Sequence, residues 1–160
     1  MKQVFFKNRF SLVLIALFFQ SCHNSVPDQV QYTFLNTFGK AQEVSWTQQS
    51  PGLWVARFYE MKFHYKTAYF NSFGALLMVE IPLEDEQVVP ELTVLINQEF
   101  PKSTCLEIYK RTLPQGECSY LVELEQYGVV FGVVYKEGVI VQVIPSDDER
   151  FTSRIEVEND

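Results

Sequence analysis

The chain predicts an α+β fold built from two tandem units, each a helix followed by a four-stranded antiparallel sheet. Three observations carry this. Apolar residues recur at helical spacing after Pro27 and again after Pro90. Each helical stretch is followed by four strand-length runs punctuated by Gly, Pro and Asn. Two segments can also be laid over one another, the mark of an internal repeat: Phe38-Gly39-Lys40-Ala41 matches Phe100-Pro101-Lys102-Ser103, Val44 and Trp46 match Leu106 and Ile108, and both copies end in Ile-Pro, at Ile81-Pro82 and Ile144-Pro145.

The first helix is predicted over Pro27 to Phe38, with Val30, Phe34 and Phe38 on one face. The second is predicted over Pro90 to Phe100, with Leu92, Leu95 and Ile96 on one face. A proline at the first turn loses no hydrogen bond, because that N–H has no partner within the helix. Gly39 and Pro101 stop the helices. The strands of the first unit are Glu43–Gln48, Leu53–Tyr59, Lys62–Phe70 and Ala75–Ile81. Those of the second are Cys105–Thr112, Glu117–Gln126, Val129–Lys136 and Val139–Ile144. Turn residues separate them at Ser50-Pro51-Gly52, Asn71 to Gly74, Pro114-Gln115-Gly116, Gly128 and Glu137-Gly138.

Strand alternation assigns the faces. Val44/Trp46 and Leu106/Ile108, with Trp54/Ala56/Phe58 and Tyr120/Val122/Leu124, are expected beneath the helices. The opposite face is then mixed: Arg57 and Tyr59 on one strand, His64 and Lys66 on the next, and Tyr109, Glu123 and Glu125 in the second unit. A one-sided antiparallel sheet leaves such a face to solvent or a partner.

Upstream of this domain, Lys2, Lys7 and Arg9 precede the ten-residue apolar run Phe10 to Phe19, too short to span ~30 Å of hydrocarbon at ~1.5 Å per residue. Residues 1–21 read as a secretory signal. The sequence Phe19-Gln20-Ser21-Cys22 resembles the bacterial lipoprotein signal, cut before a cysteine that then carries lipid, although Phe19 and Gln20 depart from its usual residues. Cys22 is the expected lipidation site and residues 22–26 the tether. The two units then occupy 27–82 and 83–145, and 146–160 form an acidic tail. A lipid-anchored protein exported to the periplasmic side or cell surface follows.

The whole chain carries 13 Lys+Arg against 20 Asp+Glu, a net charge of −7. Removing residues 1–21 takes away three basic residues and no acidic ones, which leaves ten against twenty, a net −10. Such a chain lacks the basic stripe that a nucleic-acid binder needs to displace counterions.

The order Val26-Pro27, Phe38 to Ala41, Val44-Ser45-Trp46, Trp54 to Phe58, Tyr69 to Gly74, Val89-Pro90 and Phe100-Pro101-Lys102 resembles the beta-lactamase-inhibitor-like, PepSY-like family of small secreted bacterial domains, over residues 26 to 145. Gly39 and Asn71 stand where that family more often has Pro and Asp. The resemblance implies one continuous curved antiparallel sheet, helices on its convex side, and a concave side that in the inhibitor relatives grips a protein. It transfers no inhibitory residue.

Chemistry in the sequence is sparse. His23 and His64 are the only histidines, and no HExxH, CxxC, EF-hand loop, G-x-S-x-G elbow or phosphate-binding glycine loop is present. No metal, cofactor or catalytic residue is expected. Asp147-Asp148-Glu149 reads as solvated tail before it reads as a calcium site. With Cys22 lipidated, Cys105 and Cys118 could pair. A hairpin centred near Gln115 sets Cys105 opposite residues near 124, six positions from Cys118, or roughly 20 Å against the ~7 Å Cα limit for a disulfide. The tail is expected to be disordered in preference to a further strand. The leading expectation is therefore a non-enzymatic envelope protein that binds a protein or peptide, as an inhibitor of an exported hydrolase or protease, through Arg57, Tyr59, His64, Lys66 and Tyr109. The alternative is a small-ligand or signal-sensing module with a cavity between helices and sheet.

Overall fold

The computed structural model describes residues 25–62 and 64–151. The predicted signal segment 1–21 and Cys22 lie outside them, as do residues 152–160. Helix α1 runs Asp28–Thr37 with Pro27 just before it, and α2 runs Pro90–Glu99 with Pro90 at its first position. Each ends on a phenylalanine whose N–H donates back into the last turn, Phe38 to the Phe34 carbonyl and Phe100 to the Ile96 carbonyl, both at 2.8 Å.

Strands β1 (Gln42–Ser50), β2 (Leu53–Met61), β3 (His64–Asn71) and β4 (Leu76–Pro82) follow α1. Strands β5 (Thr104–Thr112), β6 (Cys118–Gln126), β7 (Val129–Lys136) and β8 (Val139–Ile144) follow α2. A 3-10 turn over Asp85–Gln87 precedes α2. All eight strands form one antiparallel sheet in the order of the chain. The β4–β5 pair, Val79↔Thr112 to Pro82↔Tyr109, joins its two halves. The last two hairpins close through two-residue turns with both φ positive, Tyr127-Gly128 (55°, 79°) and Glu137-Gly138 (51°, 89°). In this geometry the turn twist matches that of the flanking strands.

Both helices cover one face of the sheet, as the pairing parity requires. Under α1 the core is aromatic. The Phe34 ring sits 5.0 Å from Phe58, 5.1 Å from Trp46 and 5.4 Å from Phe38, with Trp54, Ala56, Ala68 and Phe70 completing the cluster. Under α2, Leu92 and Ile96 pack on Val122, Leu124, Val133 and Tyr135. The residues that strand alternation assigns to the core, Trp46, Trp54, Ala56, Phe58, Ile108, Tyr120, Val122 and Leu124, lie in or against these clusters, with two exceptions. Val44 is 37% and Leu106 51% exposed. Each sits where the pairing register slips, between Gln42 and Ser45 and between Cys105 and Glu107. A bulge supplies one residue more than its partner strand can match, which breaks the alternation there and turns the side chain out.

The register also sets Cys105 opposite Leu124 and Cys118 opposite Thr112, and both thiols are free and exposed. The tail expectation needs correction as far as Phe151. Residues 149–151 form a helical turn, and Phe151 is buried with Tyr109, Leu121, Val134 and Ile144 on the sheet face opposite the helices. Beyond that point the tail lies outside the described residues.

Candidate functional site

Residues directly opposite in an antiparallel pair point to the same face, so the helix-free face can be read strand by strand. It contains Ser45 and Thr47 of β1, Val55, Arg57 and Tyr59 of β2, Tyr65, Thr67 and Tyr69 of β3, Met78 and Glu80 of β4, Tyr109 and Arg111 of β5, and Leu121 and Glu123 of β6. This face has two unlike regions.

At its centre is a buried set of charges. Glu80 and Glu123 are each 1% exposed. Arg111 Nε donates to Glu80 Oε1 at 2.7 Å, and the Tyr69 hydroxyl donates to Glu80 Oε2 at 2.7 Å. Arg150 comes over the sheet from the C-terminal turn. Its Nη1 donates to both Glu80 oxygens at 2.9 Å and to the Tyr69 hydroxyl at 3.0 Å, and its Nε donates to Glu123 Oε1 at 3.1 Å. The guanidinium also lies 5.1 Å from the centre of the Tyr109 ring, a cation–π contact. Two carboxylates and two guanidiniums balance, and among the described residues no buried side-chain nitrogen or oxygen lacks a partner.

The electrostatics follow from that geometry. Burial pushes the Glu80 carboxyl up, but Arg150, Arg111 and the Tyr69 hydroxyl outweigh it and hold Glu80 below the usual carboxylate range. Burial first, and then the Glu80 charge, push the Tyr69 phenol well above its ordinary value. Burial lowers the Arg150 guanidinium, and Glu80 with its neighbours more than restores it, so that it stays charged.

Phe151 follows Arg150 into an apolar seat. A Cβ on Gly132 would lie 3.0 Å from the Phe151 ring, 3.0 Å from Leu121 and 3.3 Å from Ile144, so the bare backbone of β7 makes room for the ring. Beside this seat Leu53, Tyr69, Met78, Arg111, Ile144 and Arg150 line a shallow depression of about 250 Å³.

Toward the β2–β3 end the face is open. Arg57 and Tyr65 are exposed and Tyr59 half-buried. The Tyr59 and Tyr65 rings meet edge-on, with centroids 5.5 Å apart. A hydrogen bond to Glu43 is the chief reason the Tyr59 phenol is raised.

The five predicted contact residues do not share one surface. Arg57 and Tyr59 lie on the open region. Tyr109 lies on the same face but is buried beneath Arg150. Lys66 stands opposite Phe58, hence on the helix side, where it pairs with Glu60. His64, two residues before Lys66, is at the strand start opposite Met61. The residues of β3 that do face Arg57 and Tyr59 are Thr67 and Tyr65. The missed group is Glu80, Tyr69, Arg111, Arg150 and Phe151. Glu80 alone left a sequence signal, as the one charge inside the apolar run Leu76–Ile81.

Among the described residues no cluster of His, Cys, Asp or Glu could hold a metal, and no helix is long and apolar enough to cross a membrane.

No family model matches this chain, and no curated protein does. Solved structures do. A DUF2874 family protein of Bacteroides ovatus superposes with a TM-score of 0.64 at 22% identity, covering 77% of this chain and 90% of that one. A "putative periplasmic" protein of Bacteroides eggerthii gives 0.64 at 14% identity, over 76% of this chain and 89% of that one. A BLIP-like protein of Bacteroides fragilis gives 0.58 at 18% identity, over 74% and 86%. Likeness at such identities is likeness of fold alone, over the eight-stranded antiparallel sheet and helices described above.

Proposed function

We propose that this chain is a non-enzymatic, exported envelope protein of the beta-lactamase-inhibitor-like, PepSY-like kind, built of two repeated units and anchored through lipid on Cys22. In this reading it binds a protein or peptide with the helix-free face of its sheet, as an inhibitor of an exported hydrolase or protease. The observation that carries this reading is the open patch of Arg57, Tyr59 and Tyr65, with Ser45, Thr47 and Thr67 around it, on the face the helices leave bare. Tyr and Arg dominate the centres of protein interfaces, because they bury large area with few rotatable bonds and keep a polar end. The BLIP-like and periplasmic descriptions of the structural neighbours fit a binding role outside the cytoplasm. The buried carboxylates fit it too, since both are held by guanidiniums.

A small-ligand module is the weaker reading. The helix–sheet cores are filled by side chains. The larger groove, of about 510 Å³ beside α2, is lined chiefly by the exposed Pro90, Glu91, Val94 and Gln98, so a small molecule there would stay largely wet.

Crosslinking in the native envelope followed by mass spectrometry tests the proposal. The wild type should capture a defined partner that the triple variant Arg57→Glu, Tyr59→Ala, Tyr65→Ala does not. An unchanged capture profile rejects the assigned face, and loss of export or lipid in a Cys22→Ala chain checks the anchor separately.

A further inference from the structure

Two turns at one end of the sheet differ in kind. Strands β3 and β7 run in the same direction, so the β3–β4 turn, with Phe73-Gly74, and the β7–β8 turn, Glu137-Gly138, lie at the same end, four strands apart or roughly 19 Å at ~4.8 Å per strand. The second turn ends in a charge, and a Cβ on Gly138 would meet nothing within 4 Å. The first is clamped to α1. Gly74, at φ 84°, comes so close that a Cβ there would lie 2.6 Å from the Gln29 carbonyl oxygen. The Asn71 side chain accepts hydrogen bonds from the Phe73 and Ala75 N–H groups, each at 3.0 Å, and the Gly74 N–H donates to the Asn71 carbonyl at 3.0 Å. On this fixed turn the Phe73 ring is 86% exposed, more than any other large apolar side chain among the described residues.

Phe73 does not stand alone. Helix residues three apart are neighbours, so Tyr32 lies one turn along α1 from Gln29, on which the Phe73-Gly74 turn is seated, and Leu35 one turn further. They are 71% and 65% exposed. The charge around this patch is low. Helix α1 carries Asp28 as its one charged residue, whereas α2 carries Glu91 and Glu99. Residues 27–82 hold four acidic and four basic residues, a net charge of zero, and residues 83–145 hold ten acidic against four basic, a net −6. The patch therefore belongs to the neutral half, which is also the half nearest the expected anchor. Ser25 precedes Gln29 by four residues, and Cys22 is three residues before Ser25, so a lipid-bearing Cys22 stays within about 11 Å of Ser25 even with the chain fully extended.

We propose that Phe73, Tyr32 and Leu35 form a membrane-docking surface that enters the headgroup region of the bilayer holding the lipid of Cys22. The proposal rests on the anchored reading of Cys22 and deepens it by giving the anchored domain an orientation. Rings and aliphatic groups gain from leaving water at the interface while the Tyr hydroxyl stays hydrated. An anionic bilayer surface repels acidic protein, so the half with a net −6 stands off and the neutral half lies against it. Docking there keeps the partner-binding patch clear. The β2–β3 pair has Leu53↔Asn71 at the docked end and Tyr59↔Tyr65 at the other, and α1 covers the face opposite Arg57 and Tyr59.

Vesicle tethering tests this without the native lipid. Residues 22–160, with a histidine tag in place of the lipid, are held on vesicles of phosphatidylcholine and phosphatidylglycerol that carry a nickel-chelating lipid, with or without bromine on the acyl chains. Bromine quenches tryptophan that enters the bilayer. A Phe73→Trp chain should lose most of its added emission on the brominated vesicles, and a Glu137→Trp chain should keep its own. The tethered wild type, with Trp46 and Trp54, supplies the background common to both. Equal quenching in the two chains, or none in Phe73→Trp, overturns the proposal. Tyr32→Glu and Leu35→Glu added to the Phe73→Trp chain should restore the emission, and undiminished quenching there overturns it as well. Failure of the anchor shows separately, as a Cys22 peptide of unmodified mass from envelope protein, whatever the nickel-tethered chains do.

Discussion

Arg57 and Arg111 stand on the same face of the same sheet, on β2 and β5, and have opposite fates. Arg57 is exposed to solvent, while Arg111 is nearly buried against Glu80. Strand alternation places both away from the helices. What separates them is the C-terminal turn, whose Arg150 and Phe151 reach Tyr69, Glu80, Tyr109, Leu121 and Glu123 but not Arg57. A face with only water over it can keep any polar residue, whereas a covered face must give every charge a partner. The sheet thus has a central region where both faces are core and a peripheral region where one is free.

The largest test of this contrast removes the common acceptor. Glu80→Ala leaves Arg111 without its carboxylate and Arg150 with Glu123 in place of two acceptors, and should cost ~3–5 kcal/mol, whereas Arg57→Glu should stay within ~0.5 kcal/mol. Urea denaturation of the two variants decides it, and similar midpoints would mean that the central charges are solvated. Next, Phe151→Ala should cost ~3 kcal/mol as a buried aromatic truncation, and a Tyr65→Ala chain less than ~1 kcal/mol as a surface change. If both shift the midpoint equally, the turn is not docked.

Acid should also discriminate between the regions. Glu80 is held below the ordinary carboxylate value of about 4.3. Its contribution is therefore complete above that value and is lost as the pH falls through its own, lower pKa. In the alkaline direction Tyr69, held above about 10, contributes in full below that value and loses the contribution as the pH rises past it. Thermal unfolding from pH 6 down to pH 3 should fall more steeply in the wild type than in Glu80→Gln. Parallel curves would put the acid sensitivity elsewhere. The smallest effect concerns the thiols. Cys105 and Cys118 should both be alkylated without reductant, and protection of the pair would contradict the β5–β6 register.

How far each part was legible follows the range of the forces involved. Helices and strands came from local spacing, and Trp54, Ala56, Phe58, Val122 and Leu124 could be assigned to the core because the strands under the helices alternate cleanly. Strand β3 misled, since Ala68, Tyr69 and Phe70 are buried in succession. A strand with core on both faces shows no period of two. With that signal gone, His64 and Lys66 were set beside Arg57 and Tyr59 in place of Tyr65 and Thr67, a slip of one residue that exchanges the faces. Val44 and Leu106 failed for a different reason, because a bulge is a property of the strand pair and not of either strand.

The sequence alone determined the helix and strand order, the hairpin turns, the two helix-side cores and the separation of the two cysteines. These rest on interactions between near neighbours and on periodicity. Only the tertiary structure decided which half of the helix-free face is open. That depended on Arg150 meeting a carboxylate 70 residues away and on Phe151 finding the gap at Gly132. Contacts of such separation leave no periodic trace in the chain, because they are selected by shape and charge only once the sheet has formed.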